Sequence, residues 1–221
     1  MSDIPPNDPS RGNPVATQPS DRHPLYWVPN VLTIARILSV PLFIAGILSL
    51  AFKWDLFLAK AWVLLGLFIL AAFTDFLDGY LARKWNVVSG FGRMIDPIAD
   101  KLLVAGCVIA FSIAALGDPI FLIPSLAIVF RDILVSGARE HAALTGRAMP
   151  PTKLAKWKTA FEMLAIAILI VWILAKSYLP IDTVIPDIVS TSKVAGLTCL
   201  WLAAILSVYT GSLYVRAALK E

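Results

Sequence analysis

Six long apolar runs dominate the chain, at about residues 31–51, 56–75, 97–116, 119–138, 157–176 and 194–215. Each holds roughly 18 to 22 residues, enough for a helix to cross a hydrocarbon core of about 30 Å. The expected fold class is therefore all-α, a polytopic membrane protein with six transmembrane helices. Composition agrees: 58% of the 221 residues are hydrophobic and 15% charged, far from the balance of a soluble domain.

The spans leave room for one membrane domain, 30–221, behind an N-terminal stretch, 1–29. That stretch, MSDIPPNDPSRGNPVATQPSDRHPLYWVP, is rich in Pro, Ser, Asn and Asp. It has no apolar run to act as a signal-peptide core, and reads as a flexible tail ending in an interfacial Tyr26-Trp27 anchor.

Basic residues set the expected orientation. Arg83, Lys84 and Arg93 lie between the second and third runs, and Arg139, Arg147, Lys153, Lys156 and Lys158 between the fourth and fifth. Both loops and both termini are expected on the cytoplasmic side. The opposite loops carry Lys53, Lys60, Asp118, Lys176, Asp182, Asp187 and Lys193, a sparser and mixed set.

The net charge of +4 gathers at one membrane face, which favours anionic lipid or an anionic substrate over nucleic acid. No internal repeat of solenoid or transporter type stands out. Cys107 and Cys199 fall inside apolar runs, where they are expected to pack as small apolar residues.

Against this background the stretch DFLDGYLARKWNVVSGFGRMIDPIADK, residues 75–101, is anomalous, because it sets Asp75, Asp78, Asp96 and Asp100 between two of the most apolar runs. A carboxylate near hydrocarbon is costly unless it pairs, binds metal or faces water. On a helix turning about 100° per residue, Asp75 and Asp78 lie within about 60° of each other and Asp96 and Asp100 within about 40°. Each pair therefore shares a helix face. Pro97 suits the opening of the third span, and Gly90 with Gly92 suits a turn that returns the chain antiparallel, so that both pairs face one cavity. Gly79 and Ala82 share the arc of Asp75 and Asp78, leaving room for a ligand near the backbone.

Oxygen donors at this density, without His or Cys, suit Mg2+ or Mn2+ rather than zinc. Two such cations could hold a diphosphate for phosphoryl displacement. The plainer alternative pairs the aspartates with Arg83, Lys84, Arg93 and Lys101 in a structural loop.

The segment resembles the signature of the CDP-alcohol phosphotransferase family, D-x2-D-G-x2-A-R-x8-G-x3-D-x3-D. Asp75, Asp78, Gly79, Ala82, Arg83, Gly92, Asp96 and Asp100 match its fixed positions. The resemblance implies transfer of a substituted phosphate from a CDP-linked donor to an alcohol, with release of CMP, in a polar cavity at the cytoplasmic side. It further implies that Asp75, Asp78 and Asp96 are metal ligands, and that Asp100 is both a ligand and the base for the acceptor hydroxyl. Gly79, Ala82 and Arg83 would line the CMP site, and a homodimer is the implied assembly.

Outside the signature, VPNVLTIARILSVPLF (28–43), RDILVSGARE (131–140) and KLAKWKT (153–159) look like segments of bacterial phosphatidylglycerophosphate synthases. The implied donor is CDP-diacylglycerol, the acceptor sn-glycerol 3-phosphate and the site the bacterial inner membrane. Arg131, Arg139 and Lys156 are the candidates for the acceptor's phosphate, since arginine grips phosphate through paired hydrogen bonds. Arg147, Lys153 and Lys158 read instead as ordinary basic loop residues.

Asn30, Thr33 and Arg36 recur on one face of the first span. The resemblance implies that this region approaches the donor diphosphate, with Asn30 and Thr33 as the contacts; a helix cap at Asn30 and a snorkelling Arg36 are the alternative. Glu162 follows Lys158 by four residues and is expected to pair with it. Ala155 and Pro150-Pro151 depart from the resemblance, where a Gly before the Lys and a less broken loop are expected.

Inositol phosphate and phosphatidylglycerol are the alternative acceptors. A cation-coupled transporter and an inactive scaffold are the alternatives of another class. A transporter would not need Gly79, Ala82 and Arg83 in fixed relation to the carboxylates.

Overall fold

The computed structural model describes residues 28–54, 61–84, 90–144, 153–178 and 186–219. Among these residues the chain is all-α: α1 (Val28–Phe52), α2 (Ala61–Lys84), α3 (Gly90–Ala114), α4 (Pro119–Leu144), α5 (Lys153–Tyr178) and α6 (Pro186–Leu219). The tail, 1–27, lies outside the described residues. In hydrocarbon a backbone must satisfy its own hydrogen bonds, and a helix does this within one segment.

Among the described residues four segments are long and apolar enough to cross a membrane: Asn30–Phe52, Pro119–Leu144, Leu154–Tyr178 and Ile188–Ala217. In α2 and α3 the described apolar stretches, Val63–Thr74 and Lys101–Ala114, are shorter than the expected spans. The helices themselves continue into polar sequence. The third helix begins at Gly90, so Gly90 and Gly92 belong to the helix rather than to a turn, and Pro97 lies within the helix instead of opening it.

Leu38, Ile69, Phe130, Ile133, Leu134 and Val208 are all exposed. Apolar outer faces of this kind suit lipid, not water. The interior is closed by Phe43 and Ile47 of α1, Leu64 of α2, Phe111 of α3, Ile128 of α4, Ile170 of α5 and Leu200 of α6. α1 packs along both α2 and α3. Its approach to α3 requires Gly106, where an added Cβ would stand 2.7 Å from Cγ1 of Val40.

The turn from α3 to α4 is built locally. Gly117 takes φ 76° and its N–H donates to the Ser112 carbonyl at 2.9 Å. Asp118 Oδ1 then accepts from the Ile120 N–H at 3.0 Å, capping α4 ahead of Pro119 at its first position. Pro124 lacks the N–H that would bond the Ile120 carbonyl. That carbonyl instead accepts from Trp201 Nε1 of α6 at 3.1 Å. Cys107 is fully buried and Cys199 partly so, both as free thiols.

Cross-helix contacts fix the directions. Lys101 meets Ser136 and Ser112 meets Ser125, so α3 and α4 are antiparallel. Asp132 with Lys158, and Phe121 with Trp172, make α4 and α5 antiparallel. Trp201 with Ile120, and Thr210 with Arg131, make α4 and α6 parallel. Ser177 near the end of α5 donates to the Leu50 carbonyl near the end of α1. Gly46 lies against Leu64, and Phe43, three residues earlier on α1, against Phe68, four residues later on α2, so α1 and α2 are antiparallel. Successive helices therefore alternate in direction, and the end of α2, the start of α3, the late part of α4 and the start of α5 share one end of the bundle.

Candidate active site

Asp75, Asp78, Gly79, Ala82 and Arg83 fall in the last turns of α2, and Gly92, Asp96 and Asp100 in the first turns of α3. The backbone brings both halves of the signature to one end of the bundle. Their side chains lie outside the described residues, and with them the expected convergence of the carboxylates and the expected metal and CMP contacts.

Beside the first half of the signature lies a cavity of about 250 Å³ between α1 and α2, lined by residues that include Leu32, Arg36, Ser39, Phe43, Leu67 and Thr74. Thr74 immediately precedes Asp75. Thr33 and Arg36 are buried, so Arg36 does not snorkel outward. α1 starts at Val28, which places Asn30 inside its first turn rather than at its cap.

At the same end, α4, α5 and α6 enclose a charged network. Lys158 Nζ donates to both oxygens of Asp132, at 2.6 and 2.8 Å. It also lies 2.8 Å from Glu162 Oε1, an ion pair without hydrogen-bond geometry. Arg131 divides its fork: one terminal nitrogen donates to Asp132 Oδ1 at 2.9 Å and the other to Thr210 Oγ1 at 2.8 Å. Gly211 makes room for this side chain, since a Cβ there would stand 2.7 Å from Arg131 Cγ. Lys101 of α3 donates to Ser136 Oγ, and Ser136 donates in turn to the Asp132 carbonyl.

Among the acceptor candidates, Arg131 is thus turned inward and held, whereas Arg139 and Lys156 are exposed on α4 and α5. Lys158 is corrected: it is 3% exposed and neutralised by two carboxylates, not a loop cation. Its pairing with Glu162 matches the spacing. Arg147 lies outside the described residues, as does the side chain of Lys153. Asp132, Ser136, Thr210 and Lys101 were not singled out for the site. A usable signal existed for Asp132, an ionisable residue inside an apolar run, but its partner lies 26 residues away.

A model of the CDP-alcohol phosphatidyltransferase family matches residues 26–209. The chain belongs to this family. A protein of Rickettsia felis named CDP-diacylglycerol–glycerol-3-phosphate 3-phosphatidyltransferase is 44% identical over 193 residues, which cover 87% of this chain and 96% of that protein. A Rickettsia bellii protein of the same name is 43% identical over 195 residues, covering 87% and 96%. A rice protein (Oryza sativa subsp. japonica) named cardiolipin synthase (CMP-forming) is 36% identical over 203 residues, covering 87% of this chain and 57% of its own length.

This CDP-alcohol phosphatidyltransferase is therefore an enzyme, a transferase of phospholipid biosynthesis, and the transporter alternative is set aside. Its family generally uses divalent cations. The donor set on α2 and α3 fits such ions, being carboxylate only, with neither His nor Cys.

Proposed function

We propose that the protein transfers the phosphatidyl group of CDP-diacylglycerol to sn-glycerol 3-phosphate, giving phosphatidylglycerophosphate and CMP. The observation that carries this reading is the placement of both signature halves at the end of the bundle where α4 and α5 present Arg139 and Lys156. Relatives that match nearly their whole length and bear the corresponding name support it.

In this reading Asp75, Asp78, Asp96 and Asp100 hold two divalent cations, Mg2+ or Mn2+, which supply charge neutralisation on the donor diphosphate when bound. Asp100 takes the proton of the acceptor hydroxyl, whose oxygen forms the new bond to the β-phosphorus as the bond to CMP breaks. Gly79, Ala82 and Arg83, with Asn30 and Thr33 of α1, receive the donor. Arg139 and Lys156 answer the acceptor's phosphate, and Arg131, a candidate for the same phosphate, would reach it only by giving up its bonds to Asp132 and Thr210.

The reading further takes the protein as a homodimer of the bacterial inner membrane, with six spans, both termini cytoplasmic and a polar cavity open to that side. Purified protein with Mg2+ or Mn2+ should release CMP from CDP-diacylglycerol only when glycerol 3-phosphate is added. Phosphatidylglycerol is the acceptor to compare, given the rice relative's name. Release with that lipid alone would replace the acceptor and keep the reaction class.

Arg139→Ala should raise the apparent KM for glycerol 3-phosphate about tenfold or more, the worth of one charge-assisted hydrogen bond. The KM for CDP-diacylglycerol should hold steady. A change confined to the CDP-lipid would move Arg139 to the donor site.

A further inference from the structure

We propose that Lys101 is a binding residue for the acceptor's phosphate, an inference that rests on the transfer reaction proposed above. It follows from where charge is already neutralised. Asp132 and Glu162 face Arg131 and Lys158 directly, so that buried set balances without any substrate.

Lys101 has no share in that balance. Its Nζ donates to Ser136 Oγ, a neutral partner, and among the described residues no carboxylate forms an ion pair with it. Among the described residues the charged groups acting on it are Asp132, Arg139, Lys158 and Arg131, three cations against one carboxylate. The signature aspartates are, on the proposed reading, committed to divalent cations.

A half-buried ammonium among cations is unfavourable until an anion joins it. Position makes that anion the acceptor's. Lys101 follows Asp100, the proposed base, on α3, and Ser136 lies one turn before Arg139 on α4, so Lys101 and Arg139 approach one region from two helices. Ser136 donates its own proton to the Asp132 carbonyl, which turns an oxygen lone pair toward the ammonium and holds it in place. A phosphate monoester, with its two negative charges, is the ligand class that fits.

The test is CMP release by purified protein, with steady-state constants for both substrates. Lys101→Met should raise the KM for glycerol 3-phosphate about ten- to a hundredfold, with kcat and the KM for CDP-diacylglycerol changed less than about threefold. Lys101→Gln, measured beside it, answers the same question should the Met variant fail to fold. Lys101→Arg should recover most of the loss.

Ser136→Ala separates binding from scaffolding, because it removes the hydrogen-bond partner and keeps the charge. It should change the KM for glycerol 3-phosphate by less than about threefold, well short of losing a charge-assisted bond. An unchanged KM in both neutral variants, or a Ser136→Ala defect equal to theirs, overturns the role of Lys101. A wild-type protein that releases no CMP with glycerol 3-phosphate overturns the acceptor reading itself, a different outcome from a variant ratio of one.

Discussion

Asp100→Asn is expected to lose CMP release by at least roughly a hundredfold at saturating substrates, the lower range for removing a general base. An amide keeps the shape of the carboxylate but takes up no proton at neutral pH, and it is a poorer ligand for a hard cation. Two contributions therefore fall together. They separate on titration with Mg2+: loss of a ligand is partly offset by more metal, whereas loss of the base persists at saturating metal. Asp96→Asn, proposed as a ligand alone, should recover further than Asp100→Asn under the same titration. Activity of Asp100→Asn within about tenfold of wild type would remove it as an essential base.

Lys158→Met is expected to have the largest effect on stability. It leaves Asp132 with Arg131 alone and takes from Glu162, only 1% exposed, the ammonium it pairs with. Removing one partner of a buried ion pair typically costs about 3 to 5 kcal/mol, which for a chain of this size lowers the melting temperature by roughly 10 °C. The measurement is thermal unfolding in detergent. A double variant that also carries Glu162→Gln should regain much of the loss, because Asp132 keeps Arg131 as its partner and no uncompensated charge remains. Melting of the single variant at the wild-type temperature would show that water reaches these carboxylates freely.

Sequence patterning identified the helices wherever lipid imposes a demand, since a continuous apolar run has few other uses. It placed their ends less well. α2 continues through Lys84 and α3 starts at Gly90, because a helix that leaves hydrocarbon into a polar region carries no hydropathy mark. The same reason hid the position of Asn30 within the first turn of α1.

What the sequence by itself determined was the all-helical class, the family and, with the family, the transferase class of the reaction. Local spacing also gave the Lys158–Glu162 pair, four residues apart on one helix. Tertiary structure alone decided which charges were already spent. Asp132 meets Lys158 from another helix, and Arg131 reaches Thr210 across 79 residues of chain. Charge in a low-dielectric interior is settled by which helices touch, and one-dimensional spacing holds no record of that contact.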